Sequence, residues 1–315
     1  MKPYWTKDFQ EILTKCERRI KEILNCDGRI FFLTCAGTGA LDAVVSNFIR
    51  EKTIVINSGL YGKTWLDICK FYEIEAINYH IGGGKNIDFA DLEKTIEKEK
   101  PKFLLTQHVE TSTGQKHDIE KIGEICRKHN VRLFVDAISS FMGEEYDAEK
   151  FGADVTIINP KKGLGLQQGI SIVALSRRMT EAKSRSFYFD FRRYGGPFKI
   201  PYTPNTDLIE EMCELLEVDV EAQIEKTKKL AEHFRGLIKD LKLKIIAENP
   251  ANSYTVLNTW YDANVLFKKI CTKKIYFSPY NRWTIIVPHI KTSFGGPRWE
   301  PDNIKLWQEL KTWIS

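Results

Sequence analysis

Residues 131–175, VRLFVDAISSFMGEEYDAEKFGADVTIINPKKGLGLQQGISIVAL, carry the pattern that decides the fold. Three short apolar runs lie here: Val131–Val135, Val155–Ile158 and Ile170–Leu175. Each is rich in β-branched residues and bounded by turn or polar residues, as buried strands are. The first run ends in Asp136, and the second in Asn159-Pro160 followed by Lys161 and Lys162. Ligands of an open α/β sheet sit beyond the carboxyl ends of its strands, so a carboxylate and an amine face one crevice. The plain alternative is a helix-capping aspartate and two solvated turn lysines, and the pair alone does not separate the two.

Upstream, the same alternation repeats. Phe9–Ile23 has an amphipathic helical pattern, Arg29–Leu33 reads as a strand, and Thr34–Gly39 is a small-residue turn opening a helix from Ala40 to Ile49. Thr53–Ile56 is a strand, followed by a turn containing Tyr61 and a helix to Phe71. Glu75–Tyr79, a helix over Phe89–Lys98, the strand Lys102–Gln107 and a helix over Ile119–His129 complete the run. Strand alternating with helix predicts an α/β fold with a mostly parallel sheet covered by helices. Its ligand residues then come from the strand ends: Gly37 and Thr38, Tyr61, Glu110 and Thr111, Asp136, and Lys162. A glycine-rich turn at a helix N-terminus suits an anion, because free N–H groups and the helix dipole point at it. Tyr61 offers a ring for a flat ligand, although an aromatic in a turn is more often simple packing.

Downstream of Leu175 the pattern changes. Ser184 to Asn205 is aromatic and basic, and its prolines and glycines disfavour a long regular element. A long helical segment, clearest over Val220–Lys239, precedes candidate short strands at Lys244–Ala247, Tyr254–Thr259, Tyr276 and Trp283–Val287, and a last helix over Asp302–Trp313. The expected division is an N-terminal helical segment (1–28), a large ligand-binding domain (29–205) and a smaller α+β C-terminal domain (206–315).

Length and composition narrow the function. At 315 residues, two unequal domains are the natural expectation. The chain is 43% apolar and 28% charged, as ordinary folded proteins are. Its net charge of +5 comes from scattered lysines, so no nucleic-acid footprint is expected. No apolar stretch is long enough to span a membrane, and MKPYWTKDFQ is no signal peptide. Seven cysteines without a disulfide framework fit the cytoplasm, and cysteines and histidines together show no metal-ligand spacing. Cys35 lies beside the glycine-rich turn, where a small core thiol is the simpler reading.

A carboxylate and a lysine at neighbouring strand ends have a specific use with pyridoxal 5'-phosphate. The amine forms a Schiff base with the aldehyde, while the carboxylate keeps the pyridine nitrogen protonated and the ring an electron sink. The blocks CAGTGALDAVV, INSGLYGKTWLDI, HVETSTG, LFVDAISSFMGEE and KKGLGLQQGISIVALS resemble, in this order, the class V, fold-type I pyridoxal-phosphate aminotransferases. The resemblance runs from about Tyr4 to Asn205 and is strongest to the alanine–glyoxylate, serine–pyruvate and 2-aminoethylphosphonate–pyruvate transaminases. It implies that Lys162 forms the Schiff base, that Asp136 pairs with the pyridine nitrogen and that Tyr61 stacks on the cofactor. It further implies that Gly37 and Thr38 bind the phosphate and that Thr111 reaches the phenolic oxygen. Thr203, in PYTPN, matches a residue that reaches the phosphate of the other subunit, which implies a homodimer with shared active sites.

The implied activity is a ping-pong transfer of an amino group from a small amino acid or aminophosphonate-type donor to a 2-oxo acid. Two departures bear on the substrate. The N-terminus lacks the family's proline-glycine opening. The C-terminal strand that usually carries a carboxylate-binding arginine reads NRWTIIVPH, with Arg282 two residues early and Arg298 as a further candidate. A lyase or desulfurase on the same fold, or a binding protein that kept the fold, are the alternatives. Lys161 stands where desulfurases carry a histidine, and no cysteine follows in a glycine-rich loop.

Overall fold

The computed structural model describes residues 3–179, 183–195, 199–241, 243–270, 278–281, 284–292 and 300–314. Helix α1 (Lys7–Leu24) leads to β1 (Ile30–Leu33), after which α2 (Gly37–Phe48), β2 (Thr53–Asn57), α3 (Leu60–Phe71), β3 (Ala76–His80), α4 (Phe89–Glu99) and β4 (Phe103–Gln107) alternate. A small hairpin of β5 (Val109–Glu110) and β6 (Gln115–Lys116) precedes α5 (Ile119–Lys128), β7 (Arg132–Asp136), α6 (Ala148–Phe151), β8 (Ala153–Ile158), β9 (Lys162–Gly163) and β10 (Ser171–Leu175). Among its described residues, the aromatic and basic segment holds a short 3-10 turn, Phe191–Gly195, as its regular element. Then follow α7 (Thr206–Leu215), α8 (Val220–Leu237), β11 (Lys244–Ile245), β12 (Tyr254–Asn258), α9 (Ala263–Ile270), β13 (Ser278–Asn281), β14 (Thr284–Pro288), β15 (Lys291–Thr292) and α10 (Glu300–Ile314). The strand expected around Tyr276 falls outside the described residues, as do Arg282 and Arg298.

Seven strands form the main sheet in the order β1-β10-β8-β7-β4-β2-β3. From β8 to β3 all neighbours are parallel, and β10 alone runs against both of its neighbours. The carboxyl ends of β1, β2, β4, β7 and β8 therefore share one edge, which is where the proposed ligand residues were expected.

Alternation along the strands splits the core between the two faces. Ile54, Ile56, Leu133 and Val135 pack with Phe9 and Leu13 of α1, Leu92 of α4 and Ile122 of α5. Val55 and Phe134, between them in sequence, point to the other face and meet Leu41 and Val45 of α2 and Trp65 of α3. Each such side chain fully removed from water contributes about 1.5–3 kcal/mol. Leu208, Ile209 and Met212 of α7 join the α1 cluster, and Arg19 of α1 donates to the carbonyls of Leu216 and Val218.

A separate cluster holds the C-terminal part, where Phe234, Leu257, Leu266, Ile285, Val287, Leu306 and Leu310 pack between the β11-β12-β14-β13 sheet and helices α8, α9 and α10. It is tied to the rest of the chain by a small apolar cluster of Val109, Ala251, Tyr254 and Ile290 and by polar bonds. The buried Glu144 carboxylate accepts from Ser253 N (2.8 Å), Ser253 Oγ (3.0 Å), Asn252 Nδ2 (3.3 Å) and Lys116 Nζ (3.2 Å). Arg235 of α8 donates to the carbonyls of Ala251 and Tyr254 and to Thr255 Oγ1. These bonds fix the start of β12, and with it Tyr254.

Candidate active site

The turn after β8 is built by Asn159. Its side-chain oxygen accepts from Lys161 N (3.0 Å), its carbonyl accepts from Lys162 N (3.0 Å), and its amide donates to Ser171 Oγ (2.8 Å). Lys162 then pairs with Thr292 in the β9–β15 ribbon. Gly163 follows at φ +87°, where an added Cβ would press into the backbone of Phe141, so only glycine fits. The Lys162 amine donates to Ser139 Oγ (2.8 Å) and Thr111 Oγ1 (3.3 Å), and those two hydroxyls are themselves hydrogen-bonded. It lies 5.3 Å from the centroid of the Tyr61 ring and 5.5 Å from that of Tyr254.

Asp136 closes β7 with its carboxylate turned back on its own turn, where Oδ1 accepts from Ile138 N (2.9 Å). Burial pushes this carboxyl up to about 7, while the Ile138 N–H and the charge of Lys162 pull it back. Burial pushes the Lys162 amine down to about 8 against the opposing charges of Asp136 and Glu110. Both groups are thus destabilised in their charged forms without a further partner. A protonated pyridine nitrogen facing Asp136 would restore the carboxylate, and an aldehyde would consume the amine.

Helix α2 starts earlier than the sequence pattern suggested, so Gly37 and Thr38 lie in its first turn and not before it. Ala36 at the N-cap gives no side-chain bond, leaving the first-turn N–H groups for an anion. A Cβ on Gly37 would come within 2.7 Å of Ile138 Cδ1, which places this helix start beside the Asp136 turn. Likewise α3 begins at Leu60, so Tyr61 sits in a helical turn where a loop between glycines was expected. The donor set matches pyridoxal phosphate: an uncapped helix start for phosphate, a buried carboxyl for the ring nitrogen, an amine whose proton is held less tightly than usual for the aldehyde, and an aromatic ring beside it.

Lys162, Asp136, Thr111, Tyr61, Gly37 and Thr38 thus lie at one sheet edge. Thr203 does not join them: it is exposed on the segment before α7, with no hydrogen bond to this group among the described residues. Two neighbours of Lys162 carry no role in the sequence reading. Ser139 lies within the LFVDAISSFMGEE block, three residues after Asp136, and the spacing hints at it. Tyr254 comes from the C-terminal half and has no local signal. Elsewhere, Glu93, Glu97 and His129 cluster on the surface, but Lys128 already pairs with Glu93 at 2.7 Å, as in an ion-pair network.

The model of the aminotransferase class-V family matches residues 3–190. The chain belongs to the class-V aminotransferases. Among relatives of this class-V aminotransferase, an uncharacterized aminotransferase of Methanocaldococcus jannaschii is 26% identical, over 82% of this chain and 72% of the relative. The L-aspartate–glyoxylate aminotransferase of Paracoccus denitrificans is 24% identical, over 82% of this chain and 71% of its own. The solved alanine–glyoxylate aminotransferase of Nostoc sp. shares the fold, with a TM-score of 0.88 at 18% identity, over 100% of this chain and 90% of that one. The architecture is the fold-type I one, and the class-V aminotransferase uses pyridoxal phosphate to transfer amino groups.

Proposed function

We propose that this aminotransferase moves an amino group from a small amino acid or aminophosphonate-type donor to a 2-oxo acid of the pyruvate or glyoxylate kind. The observation that carries the reading is the meeting at one sheet edge of the buried Asp136 carboxyl and the Lys162 amine held by Ser139 and Thr111. Bound pyridoxal phosphate supplies an aldehyde and a ring that accepts electrons. Lys162 would anchor it covalently, and the amine of Lys162, once set free, would move a proton from the donor's α-carbon to the carbon of the former aldehyde. Asp136 would keep the ring nitrogen protonated, Gly37 and Thr38 would hold the phosphate, Tyr61 would cover the ring, and Thr111 would bond near its phenolic oxygen. The 2-oxo acid formed leaves, and a second one runs the steps in reverse.

Thr203 is proposed to reach the phosphate of a second copy. Its exposure, and that of Phe187 and Tyr188 nearby in the chain, supports a homodimer with shared sites. Arg282 and Arg298 remain the candidates for the substrate carboxylate. The large and small parts are proposed to divide near residue 205 along the chain, with α7 beyond it packed against α1 of the large part. The six cysteines among the described residues are unbridged, which supports a reducing cytoplasm. Among the described residues no helix is long and apolar enough to cross a membrane. Of these thiols only Cys35 is not buried, and burial of its sulfur still pushes it up to about 12, which does not favour desulfurase chemistry.

The test is the visible spectrum of the purified protein with and without borohydride, beside Lys162→Ala. A yellow band that borohydride fixes to the wild type and not to the variant supports the reading, and bleaching by an amino donor with release of its keto acid completes it. A protein that stays colourless with added pyridoxal phosphate, or that releases sulfide from cysteine, overturns it.

A further inference from the structure

The first three N–H groups of α3 receive their partners from another part of the chain. Gly59, at the N-cap, has no side chain with which to cap the helix. Ser112 Oγ accepts from Leu60 N (2.9 Å), and Glu110 Oε2 accepts from both Tyr61 N (3.0 Å) and Gly62 N (3.1 Å). The other oxygen of Glu110 accepts from Ser112 N (3.1 Å) and from the Ser112 hydroxyl (2.6 Å). A Cβ at position 59 would collide with Ser112 Oγ and the Glu110 carboxylate, so glycine is what admits this cap.

A serine or aspartate at position 59 would satisfy the same N–H groups without burying a carboxylate, which is a costly thing to bury. What the distant cap adds is registration. Thr111, between the two capping residues, bonds the Lys162 amine at 3.3 Å. One tripeptide therefore holds the helix turn that bears Tyr61 and touches the amine that Tyr61 faces.

We propose that Glu110, with Ser112, is a positioning residue that fixes the Tyr61 ring relative to Lys162 and so sets the seat of the cofactor ring. The proposal rests on the assignment of Lys162 and Tyr61 made above.

The test measures two quantities on the full chain: the circular dichroism of the visible cofactor band per bound cofactor, and the Kd of the cofactor-free protein for pyridoxal phosphate. Glu110→Ala should lose more than half of the band's dichroism and weaken binding by about tenfold or more. Glu110→Gln, which keeps one acceptor for Tyr61 and Gly62, should fall between this variant and wild type. Ser112→Ala should move both readings in the same direction, and it carries the test if Glu110→Ala does not fold. Asp154→Asn is the control: that buried carboxylate is held by Arg132, Arg178 and Leu133 N at the opposite end of the sheet. It should lower Tm and leave both readings unchanged. Wild-type dichroism and affinity in the Glu110 variants, or equal losses in Asp154→Asn, overturn the proposal while borohydride labelling at Lys162 still stands. If Lys162→Ala is labelled as well as wild type, the site assignment fails and this proposal falls with it.

Discussion

Lys162 and Ser139 are 23 residues apart in sequence and joined by a hydrogen bond of 2.8 Å, with the amine as donor. Such a bond strengthens when the amine carries its proton, so Ser139 favours the charged form against burial. Ser139→Ala should lower the proton affinity of Lys162 further and shift the amine-controlled limb of the pH–rate profile to lower pH. Turnover should fall by about tenfold, less than the roughly 10²–10⁴-fold that loss of the base itself would cost. An unmoved limb would show that Ser139 does not act on the amine.

Asp136 couples function to stability with a sign opposite to that of most carboxylates. Its folded pKa is raised to about 7, so between roughly pH 4 and 7 the fold holds a proton that the unfolded chain releases. Stability from this group therefore falls as pH rises through that window, and the penalty is complete above pH 7. Asp136→Asn should leave the cofactor-free protein about 1–3 kcal/mol more stable than wild type at pH 8 and nearly equal to it at pH 4. Urea unfolding at the two values checks this, and turnover of the same variant should drop by orders of magnitude.

Three histidines act the other way. Burial holds His108 and His289 neutral, pushed down to about 3, and His117 to about 4. Below pH 6.5 the unfolded chain takes up protons that the fold refuses, so stability is lost as pH falls from 6.5 toward 4. Three such groups outweigh Asp136 in the same window, and Tm should drop steadily on acidification. His289→Gln, able to keep a bond to Thr255 Oγ1, should flatten that slope.

Glu144 should be among the most sensitive positions outside the site. Truncation to Ala would leave Ser253 N buried without its partner and free Lys116, at a cost of about 2–4 kcal/mol in urea unfolding. Because Glu144 also fixes the start of β12, the variant should weaken cofactor retention through Tyr254.

The inner strands of the main sheet were legible because they are buried on both faces and therefore written as apolar, mostly β-branched runs with turn residues at each end. Asp136 and Lys162 followed from where those runs stop. The starts of α2 and α3 were less legible. A helix begins where its first N–H groups find partners, and for α3 these come from Glu110 and Ser112, about 50 residues further along. The β9–β15 ribbon had no signal, since KG and KT carry no strand preference and pair only because tertiary structure brings them together. Tyr254 was legible as the start of a strand, but its place beside Lys162 was not, because only tertiary structure brings the two together. Helix α7 was merged into one long helical segment, although Asn205 caps it with a bond to Leu208 N.

The pairing of Lys162 with Thr292 also sets an order of events during synthesis. When Leu175 leaves the ribosome, every strand of the main sheet has been made. The strand that pins the backbone of the reactive lysine is still more than a hundred residues away, several seconds at about 5–20 residues per second. A nascent chain stalled in that interval could close its sheet and bury its core, yet present Lys162 on an unpaired loop. Cofactor capture would then wait for β15, which is made only after the strands of the main sheet.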